Sequence, residues 1–291
     1  MIRLAVLGNG TEVDECLAIA PRLRGASFAV TADIEELNND AFDAVVIGDG
    51  VSHEDNCRFA AARGKHVLLS IPLGTSAEVS ALTQECEAHD VRFMVGFASR
   101  FLPSVRTIKQ SLDSGQLGAP GLLRIHRWQS AAIRATDAST DIDLAIWIFQ
   151  TLPTQVYAVA RRGTDDAFEY IQIHLGFPDG GMGLIDVSNA LPSANDYFSL
   201  SLIGSVGAAY ADDHHNQQLL FRGESPVALK TSEGHAARLA EVQEFVDAIH
   251  EQREPGVTGA DARAAMTVCE AARQSSECGL PARLTGDRYE C

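Results

Sequence analysis

The residues able to do chemistry first gather near position 10. An apolar run from Ile2 to Leu7 stops at Gly8-Asn9-Gly10, and Thr11 and Glu12 lead into Val13, Cys16, Leu17 and Ala20 at helical spacing. A strand, a glycine turn and a helix N-terminus in that order offer backbone N–H groups and a positive dipole end to a phosphate. The same glycines also make a plain tight turn, and Glu12 puts a carboxylate where a pyrophosphate would lie. Asp33 stands at about the distance past the glycines from which a carboxylate meets a ribose hydroxyl. It would equally cap a short helix carrying Glu35 and Glu36.

Further along, Arg100, His126, Arg127 and Trp128 have the size and polarity to line a ligand cleft, Arg100 being the natural partner of an anionic or hydroxylated group. The run Asp212-Asp213-His214-His215-Asn216 has the composition of a metal site. Neighbours on a strand point to opposite sides, however, so it reads as a solvated hairpin turn. Cys16, Cys57, Cys86, Cys269, Cys278 and Cys291 form no CxxC pair and fall mostly in helical stretches. Reduced thiols packed as small hydrophobes are expected, and no metal.

The elements that must position these groups follow from periodicity. Strands are expected at 2–7, 27–32, 44–47, 66–69 and 92–96, alternating with helices at 11–23, 34–39, 53–63 and 77–89. Short apolar strands closing on glycine, such as Ala44-Val45-Val46-Ile47 before Gly48-Asp49-Gly50, are those of a buried parallel sheet. After Phe97 the texture changes. Helices at 103–114 and 140–149 are followed by strand-like runs up to Phe221 joined by turns such as Pro178-Asp179-Gly180-Gly181, and two helices close the series at 236–252 and 261–278. The expected fold is α/β: a Rossmann-type doubly wound parallel sheet over 1–97, then a domain over 98–291 with a large, mostly antiparallel open sheet.

The chain has 291 residues and a formal net charge of -16. That charge excludes binding to phosphate backbones and disfavours anionic membranes. No apolar run reaches the roughly 20 residues of a membrane span, and the first apolar run is too short for a signal peptide. A cytoplasmic protein is expected.

Taken together, several segments resemble the Gfo/Idh/MocA family of NAD(P)-dependent sugar and cyclitol oxidoreductases. They are the Gly8-Asn9-Gly10 turn, Asp43 to Ile47 with His53, Gly64-Lys65-His66-Val67-Leu68-Leu69 running into Ile71-Pro72-Leu73, and Gly96-Phe97 with Arg100-Phe101. Asp113-Ser114-Gly115 with Gly118, Asp141-Ile142-Asp143-Leu144, Ile203-Gly204 with Gly207, and Thr258-Gly259-Ala260-Asp261-Ala262 continue the series. The resemblance implies NAD or NADP held by Gly8, Asn9, Gly10, Thr11, Glu12, Asp33, Gly48, Asp49, Gly50, His53 and Ser70. It also implies a small-molecule substrate cleft, with Arg100, Arg127 and Trp128 as lining residues, and self-association through the open sheet.

The departures bear on the chemistry. Where the family carries an EKP lysine that meets the substrate hydroxyl, this chain reads Ser70-Ile71-Pro72. Where the family has a D-x-x-x-H turn ahead of D-I-D, the Asp and His positions are Thr136 and Thr140. Neither isoleucine nor threonine replaces a lysine or imidazole in proton transfer at neutral pH. Asp137 and Asp141 are the nearby substitutes. Residues 31–37 also match the family's later D-x-E-E-L helix, so a helix and a strand are missing and the adenosine pocket is one wall short. The expectation is a family member that has lost standard hydride transfer and serves as a binding, regulatory or partner subunit. The alternative is an active oxidoreductase with relocated acid/base residues.

Overall fold

The computed structural model describes residues 1–291 apart from 9–10, 32–40, 49, 72, 131–137, 163–167, 192–196, 213–216, 222–225, 231–234 and 287. In chain order its elements begin β1 (Ile2–Leu7), α1 (Thr11–Ile19), β2 (Ala26–Thr31), β3 (Ala44–Ile47), α2 (His53–Ala61), β4 (His66–Leu69), α3 (Ser76–Ala88) and β5 (Phe93–Val95). After a 3₁₀ turn at Ala98–Phe101 come α4 (Pro103–Asp113), β6 (Pro120–Ser130), α5 (Ala138–Phe149), β7 (Gln155–Arg162), β8 (Phe168–Gly176), β9 (Met182–Leu191), β10 (Tyr197–Gly204) and β11 (Ala208–Asp212). β12 (Gln217–Phe221), β13 (Pro226–Lys230), α6 (Ala236–His250), α7 (Gly259–Cys278), β14 (Ala282–Thr285) and β15 (Arg288–Glu290) complete the chain. The expected helix at 34–39 lies outside the described residues.

Two compact units result, Met1–Phe101 with Gly234–Arg263, and Leu102–Glu233 with Ala264–Cys291. These units differ from the division expected at Phe97 in the place of α6, which packs on α1 and the 3₁₀ turn of the first unit. Its apolar face, with Val242, Phe245 and Val246 fully buried, covers that unit's helices.

The first unit holds a parallel sheet in the order β2-β1-β3-β4-β5. All four residues of β3 are fully buried, as strands covered on both faces require. Thr75 starts α3 with a capping box: its Oγ accepts from Glu78 N at 3.2 Å while Glu78 Oε2 accepts from Thr75 N. Thr258 and Asp261 repeat the device at α7, where Asp261 Oδ2 accepts from the Thr258 amide at 2.8 Å. Among the described residues β2 is the edge strand of this sheet.

The second unit carries a ten-stranded sheet, β13-β12-β11-β10-β6-β9-β8-β7-β14-β15, antiparallel except where β6 and β9 run parallel. α4 packs on β10 and β11, and α5 on β6 and β9. Residues in register share a face. Val159, Tyr170, Met182, Leu122, Trp128 and Ile203 accordingly lie on one face, while Ile171, Ile185, Ile125 and Leu200 are buried on the other. The three outer strands β13, β14 and β15 were not expected from the sequence.

The cysteines differ from expectation at one pair. Cys278 and Cys291 form a disulfide, whereas Cys16, Cys57, Cys86 and Cys269 carry thiols that are not disulfide-bonded. Cys57 and Cys86 face each other across α2 and α3 with sulfurs 3.8 Å apart, and that contact together with burial pushes the Cys57 thiol up. No described helix is long and apolar enough to cross a membrane.

Candidate functional site

In the parallel sheet, β1 leads to β2 on one side and β3 lies on the other, so the carboxyl ends of β1 and β3 flank the point where strand order reverses. Open α/β sheets bind ligands at such a point. Gly8 follows β1 with φ 143°, a conformation that side-chain-bearing residues rarely adopt, and α1 begins at Thr11. Gly48 N donates to Leu7 O at 2.8 Å, drawing the two strand ends together, and Gly50 turns the chain at φ 82° into α2. His53, in the first turn of α2, donates from Nε2 to Gly48 O at 3.1 Å and so holds that turn. Ser70 N donates to Ile47 O at 2.9 Å, and Gly96 N to Leu69 O at 2.8 Å. Gly8, Gly48, Ser70 and Gly96 thus form a row along the carboxyl edge.

The row is small-sided for a reason visible at Gly96. A Cβ there would stand 3.3 Å from Ser70 Cα and 3.4 Å from Glu241 Oε1. Glu241 is fully buried in α6 and accepts from Arg238 at 2.7 Å, with Glu15 on the same guanidinium. This buried carboxylate beside the strand ends was missed in the sequence, where it reads as one more charge in an amphipathic helix. Asn9, Gly10, Asp33 and Asp49 lie outside the described residues, and for Thr11 and Glu12 only the backbone is described. A dinucleotide phosphate suits what is described: glycine backbone at the switch point and a helix N-terminus behind it.

Three readings of single residues change. Arg100 is buried, and its guanidinium donates to Gly256 O at 3.2 Å and Asp261 Oδ1 at 3.1 Å. It anchors the turn that starts α7. Burial alone would raise the Asp261 carboxyl, but the Arg100 charge and two hydrogen bonds from Thr258 hold it below the usual carboxylate range. Arg127 and Trp128, adjacent on β6, face opposite sides of the sheet and so do not share one cleft. Trp128 meets the tilted Tyr197 ring at 5.1 Å and the His126 ring edge-on at 5.8 Å on the open face.

Arg127 points to the helix-covered face, over the Phe198 ring, and grips Asp141 with two bonds of 2.8 and 2.7 Å. Asp141 is fully buried. Both its oxygens accept from Arg127, which makes it a positioning group for the start of α5, where the alternative reading of the sequence had offered it, with Asp137, as a relocated acid or base. One residue before it, Thr140 Oγ1 is buried without a hydrogen-bond partner among the described residues, as is Ser139 Oγ. The first turn of α5 therefore presents two neutral hydroxyls where the resemblance implied an imidazole. Thr136 and Asp137 lie outside the described residues, and Ile71 follows Ser70 half-buried. Of the Asp212–Asn216 run only Asp212 is described: it is buried at the end of β11 and accepts from Tyr210 Oη at 2.8 Å.

The comparisons with known proteins bear on this arrangement. The family model for the C-terminal alpha/beta domain of the oxidoreductase family GFO_IDH_MocA matches residues 127–284, more than half of the chain. The chain belongs to the Gfo/Idh/MocA oxidoreductase family. Within it, the chain is 25% identical over 243 residues to the rhizopine catabolism protein MocA of Rhizobium meliloti, covering 77% of this chain and 72% of that one. It is 26% identical over 278 residues to scyllo-inositol 2-dehydrogenase (NAD(+)) of Bacillus subtilis, covering 86% and 80%. Its fold matches an oxidoreductase from Agrobacterium radiobacter in complex with NAD+, L-tartaric acid and magnesium with a TM-score of 0.84 at 18% identity, covering 97% and 98%. The Gfo/Idh/MocA resemblance and the α/β fold expected from the sequence both hold.

Proposed function

We propose that this Gfo/Idh/MocA protein is an oxidoreductase that uses NAD or NADP and acts on a hydroxyl or keto group of a cyclitol, sugar or related polyol. The observation that carries the reading is the backbone-only rim at the sheet's switch point, Gly8, Gly48 and Gly50 ahead of the α1 N-terminus, which fits a pyrophosphate. The relatives' names, with inositol dehydrogenases among them, support the cofactor and the polyol class.

A bound nicotinamide would supply or accept the hydride. The chain's own part at the cofactor is to bind and orient: Gly8 and Gly48 at the phosphates, with His53 holding the Gly48 turn. With Asp141 committed to Arg127, Asp137 is the remaining carboxylate candidate for the proton. The exposed Val159, Tyr170, Met182 and Ile203 on one sheet face support a second copy of the chain as the partner there.

Ile71 and Thr140 favour a second reading, a ligand-binding or regulatory protein without hydride transfer. The test is reduction of NAD+ and NADP+ over a panel of cyclitols and sugars, with Asp137→Asn as control. Turnover lost in Asp137→Asn supports the enzyme. Cofactor binding with no turnover on any substrate supports the second reading.

A further inference from the structure

The hairpin β14–β15 forms one edge of the ten-stranded sheet and is lightly held. Only Ala282 and Arg283 pair with β7, at Val156 and Gln155, and Leu284 N adds one bond to Thr154 O at 2.9 Å. Tyr289 contributes a buried hydroxyl that donates to Pro153 O. A further tie is covalent, the Cys278–Cys291 disulfide, which joins the last residue of α7 to the residue after β15 across a sequence separation of 13. The α7 end is itself fixed, because the fully buried Ser275 donates to Leu280 O at 2.6 Å and accepts from Ala158 N at 3.1 Å. The disulfide therefore ties a weakly paired edge to a rigid helix end.

Both sulfurs belong to exposed residues, whereas Cys16, Cys57 and Cys86 are buried and Cys269 is half-buried. Exchange with a small thiol needs access for in-line attack, so access selects this pair. We propose that Cys278 and Cys291 are a reversible redox modification site that clamps the β14–β15 edge when oxidised and frees it when reduced. Closure proceeds by exchange with a low-molecular-weight disulfide such as glutathione disulfide. The thiolate of one cysteine attacks it, forming a mixed disulfide and releasing one small thiol. The second cysteine's thiolate then attacks the protein sulfur of that mixed disulfide, forming the Cys278–Cys291 bond and expelling the second small thiol. Two protein thiols are oxidised, one small disulfide is reduced to two thiols, and the two protein protons pass to the departing thiolates. Opening by dithiothreitol is the reverse.

The test equilibrates the folded full chain in glutathione buffers of graded ratio, traps thiols with iodoacetamide and maps them by peptide mass spectrometry, with amide hydrogen exchange over 282–290 read alongside. The expected result is a single two-electron transition confined to the peptides of Cys278 and Cys291, with exchange over 282–290 rising about tenfold or more on reduction. Loop-closure entropy sets a ceiling on the order of 100-fold. Cys278→Ser should exchange like the reduced wild type in every buffer. Complete alkylation of both residues at every ratio overturns the proposal. So does a disulfide whose reduction leaves exchange over 282–290 unchanged, in the wild type and in Cys278→Ser.

Discussion

Asp141 and Arg127 meet through two parallel hydrogen bonds, 2.8 and 2.7 Å, in a place where the carboxylate has no exposure at all. The pair fixes the start of α5 on β6 and with it the position of the Ser139 and Thr140 hydroxyls.

Arg127→Ala leaves a buried carboxylate without its guanidinium, at a cost of about 3–5 kcal/mol. The urea midpoint of the variant should fall accordingly. Arg127→Met with Asp141→Leu should recover most of the loss, since removing both charges leaves neither stranded. A single variant as stable as the wild type would contradict the assignment.

Thr140→Val should behave in the opposite sense. Thr140 Oγ1 is buried without a partner among the described residues, so replacing it with a methyl removes a desolvated hydroxyl at nearly constant shape and should leave the free protein as stable or up to about 1–2 kcal/mol more stable. If the hydroxyl serves a ligand, binding of the polyol should weaken in the same variant. Thermal melts with and without substrate separate the two effects.

Acid should destabilise the chain in two windows. The His66 ring is held below its usual range, first by burial and then by the Arg92 charge, and its Nδ1 accepts from Arg92 N at 2.8 Å. The unfolded chain therefore takes up that proton first, and stability declines as pH falls below 6.5. Asp261, also held low, contributes stability that is fully present above 3.8 and is lost as pH falls through its folded value. Urea midpoints of Asp261→Asn and wild type, well apart at pH 7, should converge at the acid end. A constant gap would contradict the ion pair's role.

Gly8→Ala should impair both folding and cofactor binding. A side chain at φ 143° is strained by roughly 1–3 kcal/mol. The methyl also stands at the rim where the phosphate would approach, so affinity for NADH should drop by about tenfold or more. Titration of the variant against wild type measures it, and unchanged affinity would place the cofactor elsewhere.

The βα alternation and the glycine turns were legible in the sequence because buried parallel strands are continuous apolar runs, and β1, β3 and β4 begin and end where periodicity put them. β15, three residues of alternating exposure, carries no such signal. Arg100 looked like a ligand contact because its partner Asp261 is 161 residues away, and only the fold brings the two together. Cys278 and Cys291 were invisible as a pair for a related reason, since the β14–β15 hairpin that returns one to the other was itself unread. The membership of α6 in the first unit depends on contacts with α1 that no local pattern encodes.

The most direct test is titration of the purified chain with NADH and with NADPH, followed by nicotinamide fluorescence. The account predicts saturable binding in the micromolar range for at least one of them. No binding at millimolar concentrations of either would contradict it.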